Sequence, residues 1–244
     1  MQSWYASPQG ELVSRLIGES IKPWLEVAAA PNTLGVGFTQ PYLQRISSAE
    51  NIVVGASPAE MGVTTWPVAG NNRIALIHPD SLPFADESFE RVVVIHLLEG
   101  VESLKDTLRE LWRVLVPGGR LLVVVPNRGG WWARNDASPL GWGRPFSPNQ
   151  LRSQLEAGLF LTRQMTYGLF LPPFSSEWLL RRADAWEKIG QRWFSPLGGL
   201  ILCEAEKVVY ATTQITSDQN SYKRRSLIRP LANSALNRLR DKEL

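Results

Sequence analysis

The chain has 244 residues, 44% of them hydrophobic and 20% charged, enough for one substantial core and ordinary for a globular fold. No apolar run approaches the ~18 residues that cross a bilayer, Met1-Gln2-Ser3-Trp4-Tyr5 has no basic or apolar leader character, and the lone Cys203 excludes an intrachain disulfide and a cysteine-built metal site. The net charge is +3, but residues from Ser221 onward hold seven basic against two acidic side chains, so residues 1–220 carry −2, which argues against nucleic-acid binding. These features together predict a cytoplasmic protein without a metal centre.

Ser7-Pro8 ahead of Leu12, Leu16, Ile17, Ile21, Trp24 and Leu25 predicts a capped helix with proline in its first turn. A short strand over 32–36 runs into Gly35-Val36-Gly37, and a short helix begins at Pro41. Further strands are predicted over 51–55, 73–77, 89–97 and 120–125, with a helix over 104–115 between the last two. Apolar strands alternating with helical segments indicate a parallel sheet covered on both faces. Residues 127–146 form a long loop rich in glycine and tryptophan, of the kind that carries binding surfaces. Ser147-Pro148 caps a helix to about Ala157. Strands near 162–171 and 200–211 complete the sheet, with a helix over 177–193 between them whose Trp178, Trp186 and Trp193 recur near helical spacing and read as a buried face.

One block is diagnostic. Asp80-Ser81-Leu82-Pro83-Phe84 precedes the strand Arg91-Val92-Val93-Val94-Ile95, and the next helix ends in Arg113-Val114-Leu115-Val116-Pro117-Gly118-Gly119 before another apolar strand. This order resembles the fourth and fifth strands of class I S-adenosylmethionine (SAM)-dependent methyltransferases. The resemblance covers roughly residues 8–212. It implies an α/β fold: a Rossmann-like, doubly wound sheet of seven strands, mostly parallel with an antiparallel last strand. It also implies one domain over 1–212, followed by a polar linker and basic amphipathic tail over 213–244.

The family's glycine motif maps onto Thr33-Leu34-Gly35-Val36-Gly37-Phe38-Thr39, with Gly35 and Gly37 retained, the acidic position on Thr33 and the third glycine lost. Glycine lets backbone approach a ligand where a side chain would collide. The acid that ends the second strand in the family, where it accepts both ribose hydroxyls, is also missing. Ser57 offers one neutral hydrogen bond in its place, with Glu60 the next acid. The resemblance sets the adenine at the loop after the third strand, where the family's Asp position falls on His78. Either Asp80, two residues later, takes the role or backbone groups of Ser81 and Leu82 hold the base, with Asp80 equally readable as a plain turn residue. His96, after the fourth strand, is the residue the resemblance sets near the methyl group, and imidazole titrates where a general base is useful. A strand-end histidine bonded to backbone is the plainer alternative.

Two functional readings follow. One is a SAM-dependent methyltransferase acting on a small or lipophilic acceptor. It uses a hollow between the tips of the first and fourth strands, with Trp131, Trp132 and Trp142 as an acceptor lid or as core. The other is a catalytically weakened protein of the same fold that works by binding a partner. The tail, with Leu227, Ile228, Leu231 and Leu236 among basic residues, suits a protein partner or an anionic membrane surface, or is plainly solvated.

Overall fold

The computed structural model describes residues 1–26, 31–44, 46, 51–62, 65–67, 70–173 and 182–209. The expected tail over 213–244 and Trp178 lie outside the described residues. In chain order the elements are α1 (Gln2–Tyr5), α2 (Pro8–Leu25), β1 (Thr33–Gly37), α3 (Gln40–Leu43), β2 (Val53–Pro58), β3 (Ile74–Ile77), β4 (Phe89–Ile95), α4 (Leu104–Val114), β5 (Leu115–Pro126), α5 (Pro148–Ala157), β6 (Phe160–Gly168), α6 (Ala183–Trp193) and β7 (Leu200–Lys207). They form a seven-stranded sheet in the order β3-β2-β1-β4-β5-β7-β6. The first five strands pair in parallel, and β7 runs antiparallel to both β5 and β6. The expected doubly wound sheet with an antiparallel last strand is therefore present.

The period of two along β4 explains why both faces are covered. Val92 and Val94 point to one side, with Leu108, Leu111 and Val114 of α4 and Leu151 and Leu155 of α5. Val93 and Ile95 point to the other, with Val13, Leu16, Ile17 and Ile21 of α2. All four β4 side chains are buried, so the strand reads as a continuous apolar run. Each such side chain contributes roughly 1.5–3 kcal/mol of transfer free energy. The helix α2 begins as expected, with the Ser7 hydroxyl accepting from the Gly10 N–H at 3.1 Å.

Several details differ from expectation. Helix α1 has no warning in the hydrophobic pattern, because four residues are too few to show a period. Pro117-Gly118-Gly119 does not close α4, which ends at Val114; it lies inside β5, which starts at Leu115. Pro117 disfavours the helical region for Val116, so the chain extends before the glycines arrive. The Trp186–Trp193 face is not uniformly buried. Trp186 packs against the α2-side core, while Trp193 at the helix end is 72% exposed.

The turn leaving β6 is held by a buried carboxylate. Glu187 of α6 accepts the backbone N–H groups of Phe170 at 2.6 Å and Leu171 at 3.1 Å. Burial raises its pKa above the ordinary carboxylate value, although those two N–H groups pull the other way. A carboxyl whose folded pKa is raised contributes stability that is full below its unfolded pKa and lost as pH rises through the folded one. Glu187→Gln keeps the accepting oxygen but cannot ionise. The Tm of the variant minus that of the wild type is therefore expected to rise between about pH 4 and pH 8. A flat or falling difference in calorimetry removes this account.

Candidate active site

In a sheet ordered β3-β2-β1-β4, the connections reverse direction between β1 and β4, and ligands bind beyond the C-terminal ends of the strands there. Gly37 ends β1 with φ +90°, and a Cβ on it would collide with the carbonyl oxygen of Ile95 at the end of β4. The same carbonyl accepts the Phe38 N–H at 2.9 Å. Only glycine fits this crossing. Gly35 lies one pleat earlier, and a Cβ there would meet the Thr39 hydroxyl and Leu43. Thr39 stands where the third motif glycine is lost, so its side chain fills space beside Gly35. Its Oγ1 is buried with no hydrogen-bond partner among the described residues.

His96 follows β4 in the left-handed region, at φ +57°, which histidine tolerates better than most residues but still at a cost of order 1–3 kcal/mol. The strain aims the ring between two partners. Nδ1 lies 3.0 Å from Glu99 Oε1, and Nε2 lies 2.6 Å from the Tyr5 hydroxyl. All three residues are buried. A carboxylate can only accept, so Nδ1 carries the proton, Nε2 is the accepting nitrogen, and the Tyr5 O–H donates to it. Burial, followed by the neighbouring Tyr42 and Glu99, pushes the Tyr5 phenol well above its ordinary pKa, which keeps that proton on oxygen. Glu99 Oε2 is buried and has no hydrogen-bond partner among the described residues.

A cavity of about 170 Å³ opens against this group, lined by Met1, Glu60, Met61, His96, Glu99, Gly100, Pro139, Trp142 and Gly143. It is bounded by the end of β2, the end of β4 and the loop after β5. That loop is docked on the Glu99 backbone: Arg144 N–H donates to the Glu99 carbonyl at 2.8 Å, and a Cβ on Gly143 would strike the same oxygen. Trp142 therefore reaches the cavity, half exposed, its indole N–H bonded to the Asp136 carbonyl. Trp131 is also half exposed. Trp132 is not a lid residue; it is fully buried in the α2-side core and donates to the Leu171 carbonyl at 2.6 Å.

The remaining sequence candidates sit as follows. Ser57 lies inside β2, which runs on past the expected end at residue 55 to Pro58; it is buried, with its hydroxyl pointing at the carbonyls of Gly62 and Pro58 at 3.4 and 3.5 Å. Glu60 lines the cavity from the short 3-10 turn that follows. Asp80 and Ser81 are exposed in the turn after β3, where Ser81 N–H bonds the His78 carbonyl at 3.0 Å. Leu82 is buried, and its N–H donates to Glu110 at 2.8 Å while its carbonyl accepts from Arg113 at 2.9 Å. Arg113 also bonds Glu110 and Asp86, and its hydrogen bond to Glu110 holds that carboxyl below the usual range. The Leu82-Pro83-Phe84 turn is thus fastened to α4 by its own backbone groups.

The hollow expected between β1 and β4 is largely filled. Phe38 is buried and stacks on Tyr5, with ring centroids 4.5 Å apart. Glu99 stands where the family resemblance sets the acidic residue of an acid–histidine pair after the fourth strand, whereas Tyr5 left no signal in the sequence, because 91 positions separate it from its partner.

Elsewhere, a larger cavity of about 360 Å³ lies at the starts of β4 and β5, between Trp24, Arg91, Arg120 and Glu204. It is at the wrong end of the strands for the reversal point, and Arg120 is paired there with Glu204 at 2.5 Å. Burial pushes the Cys203 thiol up to about 11, so it is not a nucleophile at neutral pH. Among the described residues no cluster of three or more His, Cys, Asp or Glu could hold a metal ion, and no helix is long and apolar enough to cross a membrane.

Residues 33–123 match the family described as "Methyltransferase domain". A demethylmenaquinone methyltransferase of Clavibacter sepedonicus is 32% identical over 113 residues, covering 46% of this chain and 42% of that protein. This chain therefore spans less than half the length of that relative. Among solved structures, a Thermotoga maritima SAM-dependent methyltransferase, described as a possible histamine N-methyltransferase, superposes with TM-score 0.60 at 17% identity. The superposition covers 84% of this chain and 93% of that one. The [4+2]-cyclase SpnF superposes with TM-score 0.55 at 21% identity, covering 80% and 81%. At such identities the likeness concerns the fold, and the second neighbour's name shows that the fold also carries other chemistry.

Proposed function

We propose that the chain, whose residues 33–123 match a methyltransferase domain, is a class I S-adenosylmethionine-dependent methyltransferase that transfers a methyl group from SAM to a small acceptor, with His96 as general base. The observation that carries the reading is the His96–Glu99 pair, buried at the reversal point yet lining the cavity. Two features fit the cofactor. Glu99 Oε2, buried and without a hydrogen-bond partner among the described residues, suits the neighbourhood of a cation. Gly37 brings no side chain of its own to the crossing of the β1 tip with the Ile95 carbonyl, and what fills the hollow beside it is the Phe38–Tyr5 stack. Gly35, Ser57 and the Asp80–Leu82 turn are the groups assigned to the rest of the cofactor. The Leu82 N–H is already used by Glu110, so the exposed Asp80 and Ser81 are the better donors and acceptors for a base.

When bound, SAM supplies an electrophilic methyl group on a sulfonium. Transfer of that group, with S-adenosylhomocysteine as the leaving product, would free a proton from the acceptor, and the chain would have to supply its base. In this reading the proton goes to His96 Nε2, while Glu99 holds Nδ1–H and stabilises the resulting imidazolium. Excluding water from the pair strengthens that contact. The relative's name, which specifies a demethylmenaquinone, points to a ring acceptor with an ionisable hydroxyl in its reduced form.

A second reading, a binding protein of this fold without catalysis, is favoured by two observations. The cavity of about 170 Å³ is smaller than the ~300–1,000 Å³ typical of small-molecule sites, and no carboxylate ends β2. Calorimetric titration with S-adenosylhomocysteine (SAH) separates the two. Binding at micromolar concentration is expected for the enzyme, and no heat at millimolar concentration leaves only the binding protein.

A further inference from the structure

The N-terminal segment occupies the site that the methyl-transfer reading needs empty. Met1 lines the cavity, and the Gln2 side chain lies 3.4 Å from the position of a Cβ on Gly62 after β2. Tyr5 is stacked on Phe38 with an interplanar angle of 21°, and its O–H is bonded to His96 Nε2. Trp4 meets the Tyr5 ring edge-on at 4.9 Å and Trp132 at 6.1 Å. A phenol thus lies in an aromatic box with its hydroxyl proton offered to the one nitrogen that can accept it. That is the pose a hydroxyarene acceptor would take to be deprotonated there.

We propose that the hollow filled by the Tyr5 phenol is the acceptor subsite, that it takes a hydroxyarene, and that the segment Met1–Tyr5 is an internal competitor that withdraws before the acceptor enters. The proposal rests on the methyl-transfer reading for its role, but its geometry does not depend on the cofactor. Stacking on Phe38 selects a flat ring, and the hydrogen bond to His96 selects a hydroxyl on its edge. A site built to pair an O–H rejects the analogue that lacks it, because Nε2 is then left buried and unbonded. The segment costs affinity in proportion to the fraction of time it stays in place. Helix α1 is a single turn whose polar contacts beyond the segment and its Ser7 cap reduce to Tyr5 with His96 among the hydrogen bonds described, the rest of its hold being the packing of Met1, Trp4 and Tyr5 on the α2-side core.

The chain has two histidines, His78 exposed and His96 buried, which supplies an internal control. Diethyl pyrocarbonate acylates the free nitrogen of a neutral imidazole, and peptide mass spectrometry resolves the two sites. In the wild type His78 is expected to react and His96 to be protected. In Tyr5→Ala, His96 should react at least tenfold faster, p-cresol should restore protection, and toluene at equal concentration should not. If Tyr5→Ala loses its circular dichroism, Tyr5→Phe carries the test. There the ring remains but Nε2 has lost its donor, so His96 should react several-fold faster than in the wild type. Equal protection by p-cresol and toluene, or unchanged His96 reactivity in the folded variants, overturns the proposal. SAH titration of the same variants reports separately on the methyl-transfer reading. Micromolar SAH binding in the wild type or a variant keeps that reading, no binding in any of them removes it, and the His96 protection pattern alone decides the competitor.

Discussion

His96→Asn is expected to lower kcat by about 10²–10⁴-fold, the usual contribution of a positioned general base. SAH affinity should stay within a few-fold of wild type. Asparagine is chosen because the backbone at position 96 is left-handed, φ +57°, and asparagine is among the few residues that accept that conformation. The substitution therefore removes the imidazole without adding backbone strain. Glu99→Gln should give a smaller loss, because an amide can still receive Nδ1–H but cannot stabilise the imidazolium. Methyl transfer measured by SAH release, with affinity measured separately, distinguishes a base from a packing residue. Should kcat survive in His96→Asn, His96 is a satisfied strand-end histidine and nothing more.

The second large effect concerns folding. Gly37→Ala and Gly118→Ala both ask alanine to adopt a positive φ, +90° and +72° respectively, and nothing lies within 4 Å of a Cβ on Gly118. Gly118→Ala should therefore cost only the conformational strain, about 1–2 kcal/mol, or a fall in Tm of about 2–8 °C for a chain of this size. Gly37→Ala adds a collision with the Ile95 carbonyl, which is backbone and fixed in the β1–β4 pairing. Its loss should exceed 3 kcal/mol and lower Tm by more than about 6 °C. Equal Tm values for the two variants would mean that the strand tips move apart freely, and the argument for a tight reversal point would fail.

Much of the fold is legible in the residues because it follows from local periodicity. Val92 to Ile95 alternate between two apolar faces, Ser7-Pro8 caps α2, and the order of strand and helix between Phe89 and Val125 leaves few topologies open. Element ends are less legible, as Pro117-Gly118-Gly119 shows: those residues read as a helix stop, yet the hydrogen-bonded ladder with β4 already includes Leu115. Exposure of Trp193 was hidden for a similar reason, since helical spacing says which residues share a face but not where the neighbouring surface ends.

The site divides in the same way. The sequence by itself placed Gly37 at the end of β1 and His96 at the end of β4, because each closes an apolar strand whose pattern is self-evident. What surrounds them was decided by tertiary structure alone. Tyr5 reaches His96 across 91 positions, Thr39 fills the space beside Gly35, and Glu110 and Arg113 take the backbone groups of Leu82. The physical reason is that strand and helix periods are set by steric rules acting over a few residues, whereas a hydrogen bond between distant side chains exists only after the sheet has brought their elements to one end.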